Sequence, residues 1–193
     1  TDALDAITSG PDNIAIGENS QGANSTGYNN VSVGSNSLPA LTFGTSNVAI
    51  GKNTMVAADG GESDNVAIGV DVMKSVNNPL SDGNIAIGQD SLTGGTGGVS
   101  DNVAIGRNAL NSTAAMTTGH SNVAIGYEAG QAITTSNQNV ALGWQALKEH
   151  VGGGSNIAIG PNAMDETAGS SAAASAYNIA IGRDALGGDW ADA

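Results

Sequence analysis

The chain of 193 residues contains no cysteine, six aromatic residues and only five basic ones. Without cysteine, a disulfide framework and thiol chemistry are excluded. Five Lys and Arg against 18 Asp and Glu give a formal charge of −13. Nucleic acids and anionic membranes both require a basic surface, so we expect neither as a partner. No apolar run approaches the ~18 residues of a transmembrane helix, and we expect no membrane insertion.

Residue patterns that carry catalysis are also missing. The sequence has no nucleophile elbow, no phosphate-binding glycine loop and no dinucleotide fingerprint. Its two histidines, His120 and His150, fall in predicted loops without further ligands at metal spacing, so we interpret both as solvated. The sequence therefore predicts a protein that is not an enzyme and holds no cofactor and no metal.

What the chain does have is a repeat. The string Asn-[Val/Ile]-[Ala/Ser]-[Ile/Val/Leu]-Gly occurs ten times, at spacings of 17 to 22 residues. Its first residues are Asn13, Asn30, Asn47, Asn65, Asn84, Asn102, Asn122, Asn139, Asn156 and Asn178. A fixed short period indicates a solenoid. We predict an all-β parallel β-solenoid of about ten coils over 13–187, with a lead-in at 1–12 and a tail at 188–193.

Each coil is predicted to hold one short strand that ends at the repeat glycine. In the third copy, alternation places Val48 and Ile50 on one strand face and Ala49 on the other. We expect the Val and Ile side chains to fill the core. A turn with Asn or Asp follows the glycine, and a Leu or Met beyond it serves as a second apolar anchor.

The repeat Asn has two compatible interpretations, both structural. Stacked Asn side chains can form an amide ladder along the rod, or the residue can simply favour the turn before the strand. Because a coil buries few aliphatic side chains, an isolated roll looks marginally stable. The small Ala or Ser on the opposite face would let another subunit approach closely, so we predict a homo-oligomer.

The strings Ser46–Gly51, Ser121–Gly126 and Ser155–Gly160 resemble the head repeats of YadA-like trimeric autotransporter adhesins. The longer units Asn102–Leu110 and Asn139–Leu147 resemble the repeats of bacteriophage tail fibres. The resemblance implies a left-handed β-roll, a trimer, and an extracellular location on a cell surface or virion, where the fibre binds a host receptor or surface glycan. These coils are longer than typical adhesin-head repeats, and we recognise no segment that resembles the stalk or assembly domain of such fibres within these residues.

Three alternatives remain open. A solenoid without caps could pair end to end and form an extracellular filament. Calcium could bind in loops near Asp12, Asp64 and Asp101, although Gly94–Gly97 only begins the toxin-type calcium repeat. Ice binding would require threonines in a fixed register, which pairs such as 117–118 and 134–135 do not provide.

One variable position stacks in a fixed row, namely the residue after each repeat glycine. Three successive coils there carry Arg107, Tyr127 and Trp144. Coils that stack in register would align these side chains as an aromatic strip beside a cation, suited to a sugar ring or a partner chain. The alternative is that the three side chains stack on one another and shield the edge of the sheet.

Overall fold

The structure, a computed structural model, describes residues 10–94, 97–112, 119–165 and 175–187. These residues form ten strands and no helix. The strands are β1 (Ile14–Ile16), β2 (Val31–Val33), β3 (Val48–Ile50), β4 (Val66–Ile68), β5 (Ile85–Ile87), β6 (Val103–Ile105), β7 (Val123–Ile125), β8 (Val140–Leu142), β9 (Ile157–Ile159) and β10 (Ile179–Ile181). The predicted tail, most of the lead-in, and Gly95, Thr96, Thr117 and Thr118 lie outside the described residues.

All ten strands pair in parallel, in the order in which they occur along the chain. Equivalent repeat residues face each other, as where Val103 pairs with Val123 and Ala104 with Ala124. Hydrogen bonds between coils continue past the strands, for example from Gly106 N to Ile87 O at 2.8 Å. The predicted parallel β-solenoid is confirmed. None of the described segments is a helix that could cross a membrane.

Each strand is three residues long and its faces are the reverse of those predicted. The central residue is buried in β2 to β10 and half-buried in β1, and Ala49 and Ala104 have no exposed surface. The flanking Val and Ile are only partly buried, and Ile50 remains 37% exposed. The expectation that Val and Ile fill the core, and that Ala faces a neighbour, is therefore wrong.

The reason for the reversal lies in the second apolar anchor. The anchor row is buried at Leu38, Met55, Met73, Leu92, Leu110, Leu147 and Met164. In the seventh coil, a Cβ placed on Gly130 would lie 3.5 Å from Ala124 Cβ and 3.0 Å from Leu110 Cδ2. The strand and the anchor row thus share one thin interior. Long side chains already enter it from the anchor row, and only a methyl group fits opposite them.

The repeat glycine is required by how closely the coils approach each other. Gly106 has φ of 131°, a region that other residues rarely adopt. A Cβ on Gly106 would lie 2.4 Å from the carbonyl oxygen of Gly126 in the next coil. At nine of the ten repeat glycines a Cβ would come within 3.1 Å of the backbone of the next coil, and Gly182 in the last described coil shares their positive φ.

Turn residues after the glycine also behave as predicted. Asn19, Asn36, Asn53, Asp90 and Asn108 all adopt left-handed conformations with φ between 54° and 60°. Asn and Asp tolerate this region better than most residues. The turn redirects the chain so that the anchor residue two positions later enters the interior.

Candidate functional surfaces

The repeat asparagines form a continuous amide ladder inside the roll. Asn84 Oδ1 accepts the backbone N–H of Asn102 at 3.1 Å and its Nδ2 at 3.1 Å. Asn102 Nδ2 also donates to the carbonyl of Gly119 at 2.9 Å. The backbone N–H to Oδ1 contact recurs in every successive pair, at 2.9 to 3.1 Å. The ladder is confirmed, and the described repeat Asn side chains act within the fold.

The residues that follow three successive repeat glycines lie next to each other and form the predicted strip. The guanidinium carbon of Arg107 lies 4.7 Å from the ring centroid of Tyr127. The rings of Tyr127 and Trp144 are inclined by 16°, with centroids 6.4 Å apart. This separation exceeds the ~4.8 Å between rungs, so the two rings are displaced sideways and part of the ring surface stays open. Trp144 is 48% exposed.

A network of charged and polar groups lies along the same strip. The Glu128 carboxylate accepts hydrogen bonds from Gln145 Nε2 at 2.7 Å and Lys148 Nζ at 2.9 Å. Burial opposes ionisation of Glu128, but hydrogen bonds from Tyr127, Lys148 and Gln145 outweigh it and lower its pKa to about 2. The hydrogen bond to Glu128 in turn raises the pKa of Tyr127. Glu128 is therefore a fixed anion at physiological pH and holds the neighbouring side chains in place.

The outward face of the sheet is apolar along its whole described length. Val and Ile from each strand form two parallel rows, one from the first strand residue and one from the third. Their exposure is greatest at the two end strands, where Ile16 is 60% and Ile181 68% exposed. It stays substantial in the middle, with Ile85 at 38% and Leu142 at 40%. Neither row contains a charged residue.

Both histidines depart from the solvated interpretation. His150 is fully buried, and its Nε2 lies 3.0 Å from Gly153 O and 3.2 Å from Asn156 Nδ2. Burial lowers the pKa of His150 below its ordinary value. His120 is half-buried, and its Nδ1 accepts a hydrogen bond from the backbone N–H of Ser100 at 3.2 Å.

Glu62 is a second buried ionisable group that sequence reasoning missed. Its Oε2 accepts the backbone N–H of Gly60 at 3.1 Å, and its Oε1 has no hydrogen-bond partner within the described residues. Burial raises the pKa of Glu62. Glu62 lies three residues before a repeat Asn, where neighbouring coils carry Gly44 and Ser81. Alignment of the coils on their Asn would have revealed this carboxylate in an interior row.

The predicted calcium positions are explained by backbone conformation. Asp12, Asp64 and Asp101 are exposed and have φ of 58° to 59°, which suits Asp immediately before the repeat Asn. Across residues 10–94, 97–112, 119–165 and 175–187, no three His, Asp or Glu side chains are grouped to hold a metal ion.

The fold and its ladders define the class of protein, a parallel β-solenoid of short repeats with one strand per coil. Comparisons with protein-family models, with curated proteins and with solved structures gave no match to this chain.

Proposed function

We propose that this chain is a non-catalytic structural module of an adhesive fibre displayed on a cell surface or a virion. In this proposal, rods associate with copies of themselves, as a trimer, and present a ligand-binding surface to a host or surface molecule. The resemblance of the repeats to adhesin heads and phage tail fibres supports the location and the number of copies. The geometry supports self-association independently of that resemblance.

The observation that carries the proposal is the outward double row of Val and Ile. Sheets made only of parallel strands are found almost always with both faces covered. In the single chain one face packs on the anchor row, and the other exposes β-branched side chains. Ten strands at ~4.8 Å and three residues at ~3.3 Å give this face a footprint of roughly 500 Å². The largest apolar patch on a typical monomer is of about this size and is often functional.

A second copy of the chain fits this face better than an unrelated partner. The Val and Ile rows repeat at the spacing of the rungs, and another copy offers the same spacing over the same length. The rows are uncharged, although the chain as a whole carries −13. Association through this face therefore brings apolar surfaces together, while the acidic residues remain elsewhere in each copy.

The test is the mass of the protein in solution, measured by light scattering and sedimentation at micromolar concentration. We expect a discrete trimer, and we expect Ile105→Thr combined with Ile125→Thr to shift it towards monomer. Val151→Thr is the control, because Val151 is 42% exposed in a loop outside the two rows. A stable, folded wild-type monomer would contradict the proposal, and open-ended polymers would favour the end-to-end filament.

A further inference from the structure

The strip formed by Arg107, Tyr127 and Trp144 has features that the rod itself does not need. In the same row, other coils carry Glu18, Ser35, Lys52, Val70, Gln89, Pro161 and Arg183. The other described coils therefore stack without rings at this position. Only six aromatic residues occur in the chain, yet two of them lie on adjacent rungs here. Tyr127 and Trp144 thus place two rings at one point along the rod, and Trp144 is 48% exposed.

Arg107 supplies a cation at one end of this strip. Within the described residues it has no Asp or Glu oxygen within ion-pair distance, although the chain has 18 acidic residues. Its guanidinium carbon lies over the Tyr127 ring, 4.7 Å from the ring centroid. A contact with a ring does not replace a carboxylate partner, so N–H groups of the arginine remain available for a ligand carboxylate.

We propose that this strip binds an acidic saccharide. The C–H face of a pyranose ring packs on the exposed part of the Trp144 ring, and the saccharide carboxylate pairs with Arg107. The three rungs span ~10 Å, which suits a short oligosaccharide rather than a protein interface of standard size.

This inference rests on the proposed adhesive function, because it names the ligand class, but it does not depend on the number of copies. The glutamate in the network, Glu128, is already engaged by Lys148 and Gln145. Glu128 therefore holds the neighbouring side chains in place. Arg107 is the group that selects for a negatively charged ligand.

The experiment uses the full chain with Trp190→Phe, so that Trp144 is the remaining tryptophan of the two in the sequence. The protein is first applied to an array of matched acidic and neutral oligosaccharides. Retained sugars are then titrated while Trp144 fluorescence is recorded. We expect acidic sugars to bind and to change the fluorescence, and Arg107→Ala to weaken their binding roughly tenfold towards that of the neutral counterparts.

Trp144→Ala, followed on the array or by calorimetry, is expected to abolish retention. Lys52→Ala is the control cation because it occupies the same row without aromatic neighbours, and Tyr28→Ala is the control for an exposed ring elsewhere. Circular dichroism and solution mass verify that each variant keeps the fold and assembly of the wild type. The proposal is overturned if no sugar is retained, if neutral sugars bind equally well, or if Trp144→Ala and Arg107→Ala bind as the controls do. A monomeric wild type that still binds acidic sugars would contradict the assembly alone.

Discussion

Asn84 Oδ1 accepts two hydrogen bonds from Asn102, one from the backbone N–H and one from the side-chain Nδ2, both at 3.1 Å. The same side chain of Asn102 also accepts from Asn122 and donates to a loop carbonyl of the next coil. One asparagine therefore ties three coils together in the interior. The contact explains why the repeat requires an amide, which both donates and accepts, rather than any turn-forming residue.

Replacement of Asn102 should consequently destabilise the rod strongly. Asn102→Ala leaves the Asn122 N–H and the Gly119 carbonyl buried without partners, at about 1–3 kcal/mol for each group. Asn102→Asp keeps the shape but turns an oxygen towards two acceptors, so we expect at least as large a loss. Chemical unfolding measures the change. Asn77→Ala, at an exposed position, should cost less than about 0.5 kcal/mol.

The sequence predicts the parallel solenoid, the amide ladder and the alignment of the strip, because all three follow from coils that stack in register. It does not predict which strand face is buried. Alternation shows only that Val123 and Ala124 lie on opposite faces, and hydrophobicity favours the larger residue for the core. The deciding fact is that Leu110 and its counterparts already fill the interior, which requires knowledge of the path of the turn.

A matched pair of substitutions in β7 tests which face of the strand packs in the interior. Ala124→Val adds two methyl groups to the closed interior near Leu110, and overpacking of this kind costs about 1–3 kcal/mol. Val123→Ala removes the same two methyl groups from the outward row. It should change the unfolding free energy of the single chain much less and weaken self-association instead. Unfolding curves and sedimentation of both variants test this, and the opposite ranking in the unfolding curves would restore the original assignment of the faces.

Glu62 and His150 were not predicted, because each residue type occurs at its interior row in only one of the described coils. His150 follows Leu147 by three residues, and Leu41 follows Leu38 at the same interval. Both Leu41 and His150 are fully buried. The interval of three residues after the anchor residue predicts a buried position. Loops of unequal length make this interval difficult to recognise in the sequence.

His150 should make the rod sensitive to mild acid. Its pKa is lowered by burial, so the native state binds a proton less readily than the unfolded chain, whose pKa is near 6.5. Stability is therefore complete above about pH 6.5 and declines below it until the lower native pKa is reached, with a slope of at most about 1.4 kcal/mol per pH unit. His150→Leu should remove this part of the decline between pH 7.5 and 5. His120→Gln should leave it in place, and an unchanged slope in His150→Leu would contradict the assignment.

Glu62 should have the opposite pH dependence, because burial raises the pKa of a carboxyl group. The native state holds the proton more tightly than the unfolded chain, whose pKa is 4.5. The stabilising effect of the neutral form is thus complete below about pH 4.5 and is lost as the pH rises through the native pKa. Glu62→Gln keeps an oxygen for the Gly60 N–H and removes the buried charge.

We expect Glu62→Gln to raise the unfolding free energy by about 1–3 kcal/mol at pH 7 and to have little effect near pH 4. Glu149→Gln removes the same charge at an exposed site and corrects for the general benefit of reducing a net charge of −13. Denaturant titrations of the three proteins at both pH values provide the measurement. If Glu62→Gln is instead less stable than the wild type at pH 7, the carboxylate is ionised and favourably bound, in conflict with the unpartnered Oε1.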